Sequence, residues 1–238
     1  MRGLIALLIV WAVPAAAVTC EDVQYAGDSY TICTVDAAYE NLRLFYKDAD
    51  DAVIGSFGGI AALPDVNQLD FAMNAGMYHD DRRPVGHYIE DGVEVMRVIP
   101  NAGPGNFGLL PNGVFCINDA TAQVYETLQY LEDAPVCRDA SQSGPMLVID
   151  GALHPRFLPD STSRFIRNGV GTSADGRTAV FAISNNSVTF HEFGSLFRDY
   201  LELPNALYFD GKVSRLYSRD LGRSDFGFQL GPMVAVTN

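Results

Sequence analysis

The sequence predicts an α+β fold, a single domain with a large, mainly antiparallel sheet and few helices. Three observations carry this expectation. Aromatic and β-branched runs of strand length recur from one end of the chain to the other. Gly, Pro, Asn or Asp bounds almost every one of them. Only one segment shows plain helical periodicity, and no Pro/Ser-rich linker or low-complexity tract divides the chain.

In order, the runs are "YTICTV", "LRLFY", "LDFAMNA", "HYIEDGVEVMRVI", "GVFCI", "QVYET", "PMLVID", "TAVFAIS" and "ALYFDGKVSRLYS". "EDGVE" and "FDGKV" each put Asp-Gly between extended runs, a strong local hairpin signal. The helix is announced by Thr189-x-x-Glu192, a capping box, with Phe193, Leu196, Phe197, Tyr200 and Leu201 at helical spacing before Pro204. A second helix is expected around residues 121–133. "QSGPMLV" at 142–148 recurs as "QLGPMVA" at 229–235, two Gly-Pro turns that set the angle of a following strand.

Residues 1–17 carry Arg2, the apolar run "LIALLIVWAV" and then Pro14 and "AAA". A charged start, a short apolar centre and an A-x-A end predict a signal peptide cleaved after Ala17, leaving a domain of residues 18–238. A short buried N-terminal helix is the structural alternative. No other segment is apolar for long enough to cross a membrane, so the mature chain is expected to be secreted or periplasmic. Without Arg2 it holds 15 cations against 29 carboxylates, a net charge of −14. That charge argues against nucleic acid or an anionic membrane as partner.

Four cysteines remain, and in an exported chain they can pair. The local pairing, Cys20–Cys33 and Cys116–Cys137, is preferred, each bridge closing a loop worth roughly 3 kcal/mol. No C-x-x-C pair supports a zinc site.

Polar residues gather at predicted strand ends. The first group is Asn74, Gly76, His79, Arg82 and Arg83. The second is "STSRFIRNGVG", with Arg164, Arg167 and Asn168. The third is "YFDGKVSR", with Asp210, Gly211, Lys212, Ser214 and Arg215. Any one of these could be a surface ion pair or a turn former. Their recurrence in an acidic chain points instead to an anionic or polyhydroxylated ligand.

"FAMNAGMY…PVGHYIEDG", "GPGNFGLLPNGVF", "QSGPMLVIDG…HPRF", "STSRFIRNGVG", "VFAIS" and "NALYFDGKVSRLY" together resemble the bacterial branch of the phosphodiester glycosidase domain family, the family of the lysosomal uncovering enzyme. The resemblance runs in order from about Tyr30 to the C-terminus. It implies hydrolysis of a sugar-1-phosphodiester or a related cell-envelope glycan phosphodiester, with no cofactor. Asn74 and Gly76 match the family's Asn-Gly motif, Ser143, Gly144 and Pro145 its Gly-Pro strand entrance, Arg167 and Gly171 its Arg-to-Gly loop, and Asp210 and Gly211 its Asp-Gly motif. After Asp-Gly this chain departs, with Lys212, Val213, Ser214 and Arg215 in place of further glycines and serines.

Chemistry assigns provisional roles. Planar guanidinium grips two phosphate oxygens, so Arg167 is the expected clamp, with Arg215 or Lys212 in support. Asp210 is the expected catalytic carboxylate, with Asp150 as a possible second and His79 as a possible proton donor. Asn74 is expected to meet a sugar hydroxyl or phosphate oxygen, and Gly76 to admit the substrate to the backbone. Two other classes remain open: a non-catalytic glycan-binding module, and a metal-dependent phosphodiesterase drawing on His79, Asp80, Asp81 and His87. The last ranks below, because Asp80 and Asp81 beside two arginines look like a solvated turn. Composition does not address the oligomeric state.

Overall fold

The computed structural model describes residues 18–210 and 213–238. The predicted signal peptide, residues 1–17, and two predicted binding residues, Gly211 and Lys212, lie outside the described residues.

The architecture is the mainly antiparallel α+β domain that was predicted, with its strands shared among three sheets. The first sheet has seven strands, in the order β1 (Thr19–Tyr25), β2 (Asp28–Asp36), β13 (Thr178–Ser184), β12 (Asn168–Thr172), β14 (Asn205–Tyr208), β10 (Met146–Ile149) and β11 (Ala152–Leu153). The second has five: β16 (Arg223–Ser224), β15 (Leu216–Ser218), β4 (Leu69–Asn74), β17 (Met233–Thr237) and β3 (Leu42–Phe45). The third, also of five, runs β6 (Val93–Met96), β5 (Tyr88–Glu90), β9 (Asp139–Ser143), β7 (Gly113–Ile117) and β8 (Ala122–Glu126).

Side-chain alternation explains how one strand can serve two cores. On β13, Phe181 and Ile183 enter the central core where all three sheets meet, while Val180 and Ala182 enter an outer core. The outer core is roofed by the helix α3 (Phe190–Ser195), which continues as a π-helix over Leu196–Tyr200. The predicted capping box is present: the Glu192 amide donates to Thr189 Oγ1 at 3.1 Å, and the Thr189 amide donates to Glu192 Oε2 at 2.8 Å. Phe193, Leu196 and Phe197 are buried as expected, but Tyr200 is exposed because the wider π turn rotates it off the core face. The remaining helices are α1 (Phe57–Ala61), which covers the second sheet, and α2 (Thr127–Asp133) on the third. Helix α2 is the second half of the helix expected at 121–133; the first half is β8, and Glu126 caps the junction by accepting from the Leu128 and Gln129 amides.

Both disulfides form as expected, Cys20–Cys33 and Cys116–Cys137. The hairpin expectation holds at one of the two Asp-Gly sites. Asp91 (φ 48°) and Gly92 (φ 77°) turn β5 into β6 in the left-handed region that a tight hairpin requires. At the other site Gly211 lies outside the described residues, and the flanking strands β14 and β15 belong to different sheets. Asp150 and Gly151 form the unforeseen hairpin, joining β10 to β11.

Burial of carboxylates has a pH consequence. Glu90 accepts from the Tyr46 amide at 3.3 Å and the Tyr88 hydroxyl at 3.1 Å, yet burial pushes it up to about 7. A carboxyl raised in the folded state stabilises fully below its unfolded pKa of about 4.3, and that contribution is lost as pH rises through 7. Thermal melting of the wild type is therefore expected to fall from pH 5 to 7.5 more steeply than that of Glu90→Gln. Equal slopes would show that Glu90 does not bind its proton more tightly in the fold.

Candidate active site

All three sheets send strand ends to one place. The C-terminal end of β4, the N-terminal end of β12 and the C-terminal end of β14 arrive there, with the end of β9 beside them. At the centre are two wholly buried asparagines from different sheets. Asn168 Nδ2 donates to Asn74 Oδ1 at 2.8 Å, and Asn74 Nδ2 donates to Asn168 Oδ1 at 3.3 Å.

This pair holds the crossover that carries Asp210. Asn168 Oδ1 accepts from the Asp210 amide at 3.1 Å, and Asn74 Oδ1 accepts from the Arg215 amide at 3.0 Å. The Ser214 hydroxyl donates back to the Asp210 carbonyl at 2.6 Å. Ser143 Oγ donates to the Phe209 carbonyl at 2.8 Å, fixing the residue before Asp210. Gly76 (φ 134°) lets the chain pass Ser141, whose Oγ would lie 2.8 Å from a β-carbon there. Gly144 packs against Asn112, where a β-carbon would meet Asn112 Cβ at 2.6 Å. Asn74, Asn168, Ser143, Gly144 and Gly76, expected to meet substrate, are thus buried beneath the end of the sheet. Losing either asparagine strands buried amides, each costing about 1–3 kcal/mol. Asn168→Ala is expected to lower the denaturation midpoint accordingly; an unchanged midpoint would show that the pair does not carry the crossover.

Arg167 and Asn168 are neighbours in sequence, so their side chains leave opposite faces of the first sheet. Arg167 goes to the outer face, only 1% exposed. Its Nε donates to the Val188 carbonyl at 2.9 Å and one Nη to the Ser163 carbonyl at 3.0 Å. Its guanidinium lies 3.6 Å from the Phe190 ring centre, with Tyr208 and Phe165 each at 5.5 Å. The other Nη and the Tyr208 hydroxyl complete no hydrogen bond of good geometry among the described residues, although they face each other closely enough to interact electrostatically. Burial lowers the Arg167 pKa, with Tyr208 opposing the shift.

Arg215 repeats the situation. It is 7% exposed, burial lowers its pKa, and one Nη has no partner among the described residues. Neither arginine forms an ion pair among the described residues. Burial raises the pKa of Tyr208 and of Tyr78, and the Asp210 carboxylate adds to both shifts. Arg167 thus lies on the face of the first sheet opposite the one where Asn168 meets Asn74, while Asp210 follows β14 at the same end of the sheet.

His79 does not join this group in the structure. It sits on an exposed turn and lines a separate 160 Å³ pocket with Tyr46, Lys47, Arg83 and Met96 among others. Asp150 is exposed at its hairpin, and its amide donates to Asn205 Oδ1 at the opposite end of β14 from Asp210. Two of the four residues considered for a metal are engaged elsewhere: Asp81 pairs with Arg83 at 2.6 Å, while the His87 ring meets the Met96 carbonyl at 2.8 Å and the Tyr130 hydroxyl at 3.0 Å. Tyr78 and Tyr208 were missed in the sequence. Their signal was position alone, since Tyr208 precedes Asp210 by two and Tyr78 follows Asn74 by four.

The comparisons with known proteins give the family. The phosphodiester glycosidase family profile matches residues 67–224, and the chain belongs to that family. It is 32% identical over 211 residues to the uncharacterized protein YigE of Escherichia coli (strain K12), covering 87% of this chain and 82% of that one. Its fold is similar to the zebrafish N-acetylglucosamine-1-phosphodiester alpha-N-acetylglucosaminidase catalytic domain auto-inhibited by pro-peptide, with a TM-score of 0.58 at 15% identity, covering 93% of this chain and 82% of that one. A hypothetical protein from Synechocystis gives a TM-score of 0.61 at 13% identity over 92% of this chain and 61% of its own.

Proposed function

We propose that the chain hydrolyses a sugar-1-phosphodiester or related cell-envelope glycan phosphodiester, with Arg167 and Arg215 holding the phosphodiester monoanion and Asp210 at the reacting centre. One observation carries the reading. Arg167 and Arg215 are buried, each has a guanidinium nitrogen that completes no hydrogen bond of good geometry, and neither forms an ion pair among the described residues, in a chain that holds 29 carboxylates. A buried charge without a counterion is costly, and an anionic ligand would supply the missing partner.

The chemistry follows from the arrangement. Water adds to the anomeric carbon as the bond from that carbon to the phosphate oxygen breaks. Asp210 takes the water proton, and the electron pair of the broken bond stays on the phosphate. The arginines stabilise the charge gathering there. A phosphomonoester leaves readily, so one carboxylate suffices and no second acid has to be found near Asp210. Asn74 and Asn168 are positioning residues. Lys212, two residues after Asp210 in sequence, would add to the clamp.

Export belongs to the same proposal. The leader at 1–17 directs the chain outward, and the two disulfides fit an oxidising compartment. Among the described residues no helix is long and apolar enough to cross a membrane. The acidic surface argues against nucleic-acid partners.

The test is a panel of sugar-1-phosphodiesters offered to purified protein, with and without a chelator, alongside thermal melting with the same compounds. Release of free sugar that survives chelation is expected. Stabilisation by the panel without turnover would favour a glycan-binding module, and activity abolished by the chelator would favour metal-dependent cleavage.

A further inference from the structure

We propose that removal of residues 1–17 creates an α-ammonium at Val18 that docks in an acidic recess and closes an ion pair with Glu40, so that maturation of the N-terminus completes the fold. The inference stands apart from the reading of the active site. Val18 is already buried, at 7% exposure. Two residues later Cys20 is bonded to Cys33 and is also its cross-strand partner, which fixes where the N-terminus lies.

Burial raises the Glu40 carboxyl to about 7, and the Val18 N–H is among the groups that oppose that shift. One of its oxygens accepts from the Asp36 amide at 2.6 Å, but Oε1 is buried and completes no hydrogen bond of good geometry among the described residues. Beside it opens a cavity of about 450 Å³ lined by Val18, Thr19, Asp70, Arg219 and Asp220. The charged groups around Val18 and Glu40 come from three segments: Asp36 at the end of β2 with Glu40 after it, Asp70 on β4, and Arg219 and Asp220 after β15. Arg219 is occupied by Asp70 at 3.4 Å, and Asp220 accepts from the Cys20 amide at 3.4 Å. The recess is therefore short of positive charge. An unprocessed Val18 offers it one neutral N–H; a processed Val18 offers three donors and a full charge.

The step is hydrolysis of the Ala17–Val18 peptide bond by a peptidase that recognises the A-x-A end. Water supplies the carboxylate of Ala17 and the amine of Val18, which is protonated. Paired with Glu40, that ammonium titrates above the usual range of about 7.7–8.0. Its stabilisation is complete below that range and is lost as pH rises through the folded value.

The experiment compares three proteins: the chain beginning at Val18, the same chain with Ala15, Ala16 and Ala17 retained, and Glu40→Gln beginning at Val18. At pH 7 the first is expected to melt roughly 4 °C above the second. The gap should close in Glu40→Gln and close again at alkaline pH. The α-amino pKa of the first protein, read from the pH dependence of amine labelling, should be raised, and this readout decides the matter if Glu40→Gln does not fold. Equal melting of the first two proteins, or an α-amino group titrating at its ordinary value, would overturn the proposal. So would an exported chain whose N-terminal residue is not Val18.

Discussion

Replacing Asp210 by Asn is expected to lower turnover by roughly 10²- to 10⁴-fold, the range of general acid–base contributions, with little change in KM or melting temperature. The structure gives the reason for that split. The Asp210 segment is held by its own amide on Asn168 and its carbonyl under Ser214, and both backbone contacts survive the substitution. Asparagine keeps the shape and removes the proton acceptor. Steady-state kinetics on a sugar-1-phosphodiester, with melting as the folding control, checks it. Wild-type turnover in a folded Asp210→Asn would reduce the residue to a turn former.

Arg167→Lys should weaken substrate capture as well as turnover. Hydrogen bonds to charged groups are worth about 1.5–3 kcal/mol each, so loss of the fork should cost roughly 10- to 100-fold in kcat/KM or more. The exchange is structural too, since Nε and one Nη already hold the Val188 and Ser163 carbonyls. The variant should therefore melt lower than the wild type, and the added melting stability conferred by a phosphodiester should shrink. A variant that melts lower yet gains full ligand stabilisation would confine Arg167 to a structural role.

The sequence was most legible where one physical signal dominated. Strands with apolar or aromatic content, such as β13 and β4, were visible, as was the capping box of α3. The buried strands β9 and β12 were not. "DASQS" and "NGVGT" lack strand formers, and their burial depends on distant partners. Gln142 serves the backbone of His87 and Ile99, and Gly169 exists because a β-carbon would lie 2.4 Å from the Leu207 carbonyl. Tertiary contact decides such strands, and local propensity does not reveal it. The candidate site shows the same division. Residue type singled out Arg167, Asp210 and Arg215. It could not show that Asn74 and Asn168 face each other, that His79 lies in a pocket with Tyr46 and Met96, or that Asp210 acts on Tyr78 and Tyr208. Each of those facts depends on how separate sheets meet.

The central claim is that water attacks the anomeric carbon while two buried arginines hold the phosphate. Hydrolysis of a sugar-1-phosphodiester in ¹⁸O-labelled water, with the products analysed by mass spectrometry and ³¹P NMR, tests it most directly. The expected result is ¹⁸O in the released sugar and none in the phosphomonoester. Label in the phosphate, with sugar-1-phosphate as the product, would mean that the same cations serve attack at phosphorus, and would contradict the account.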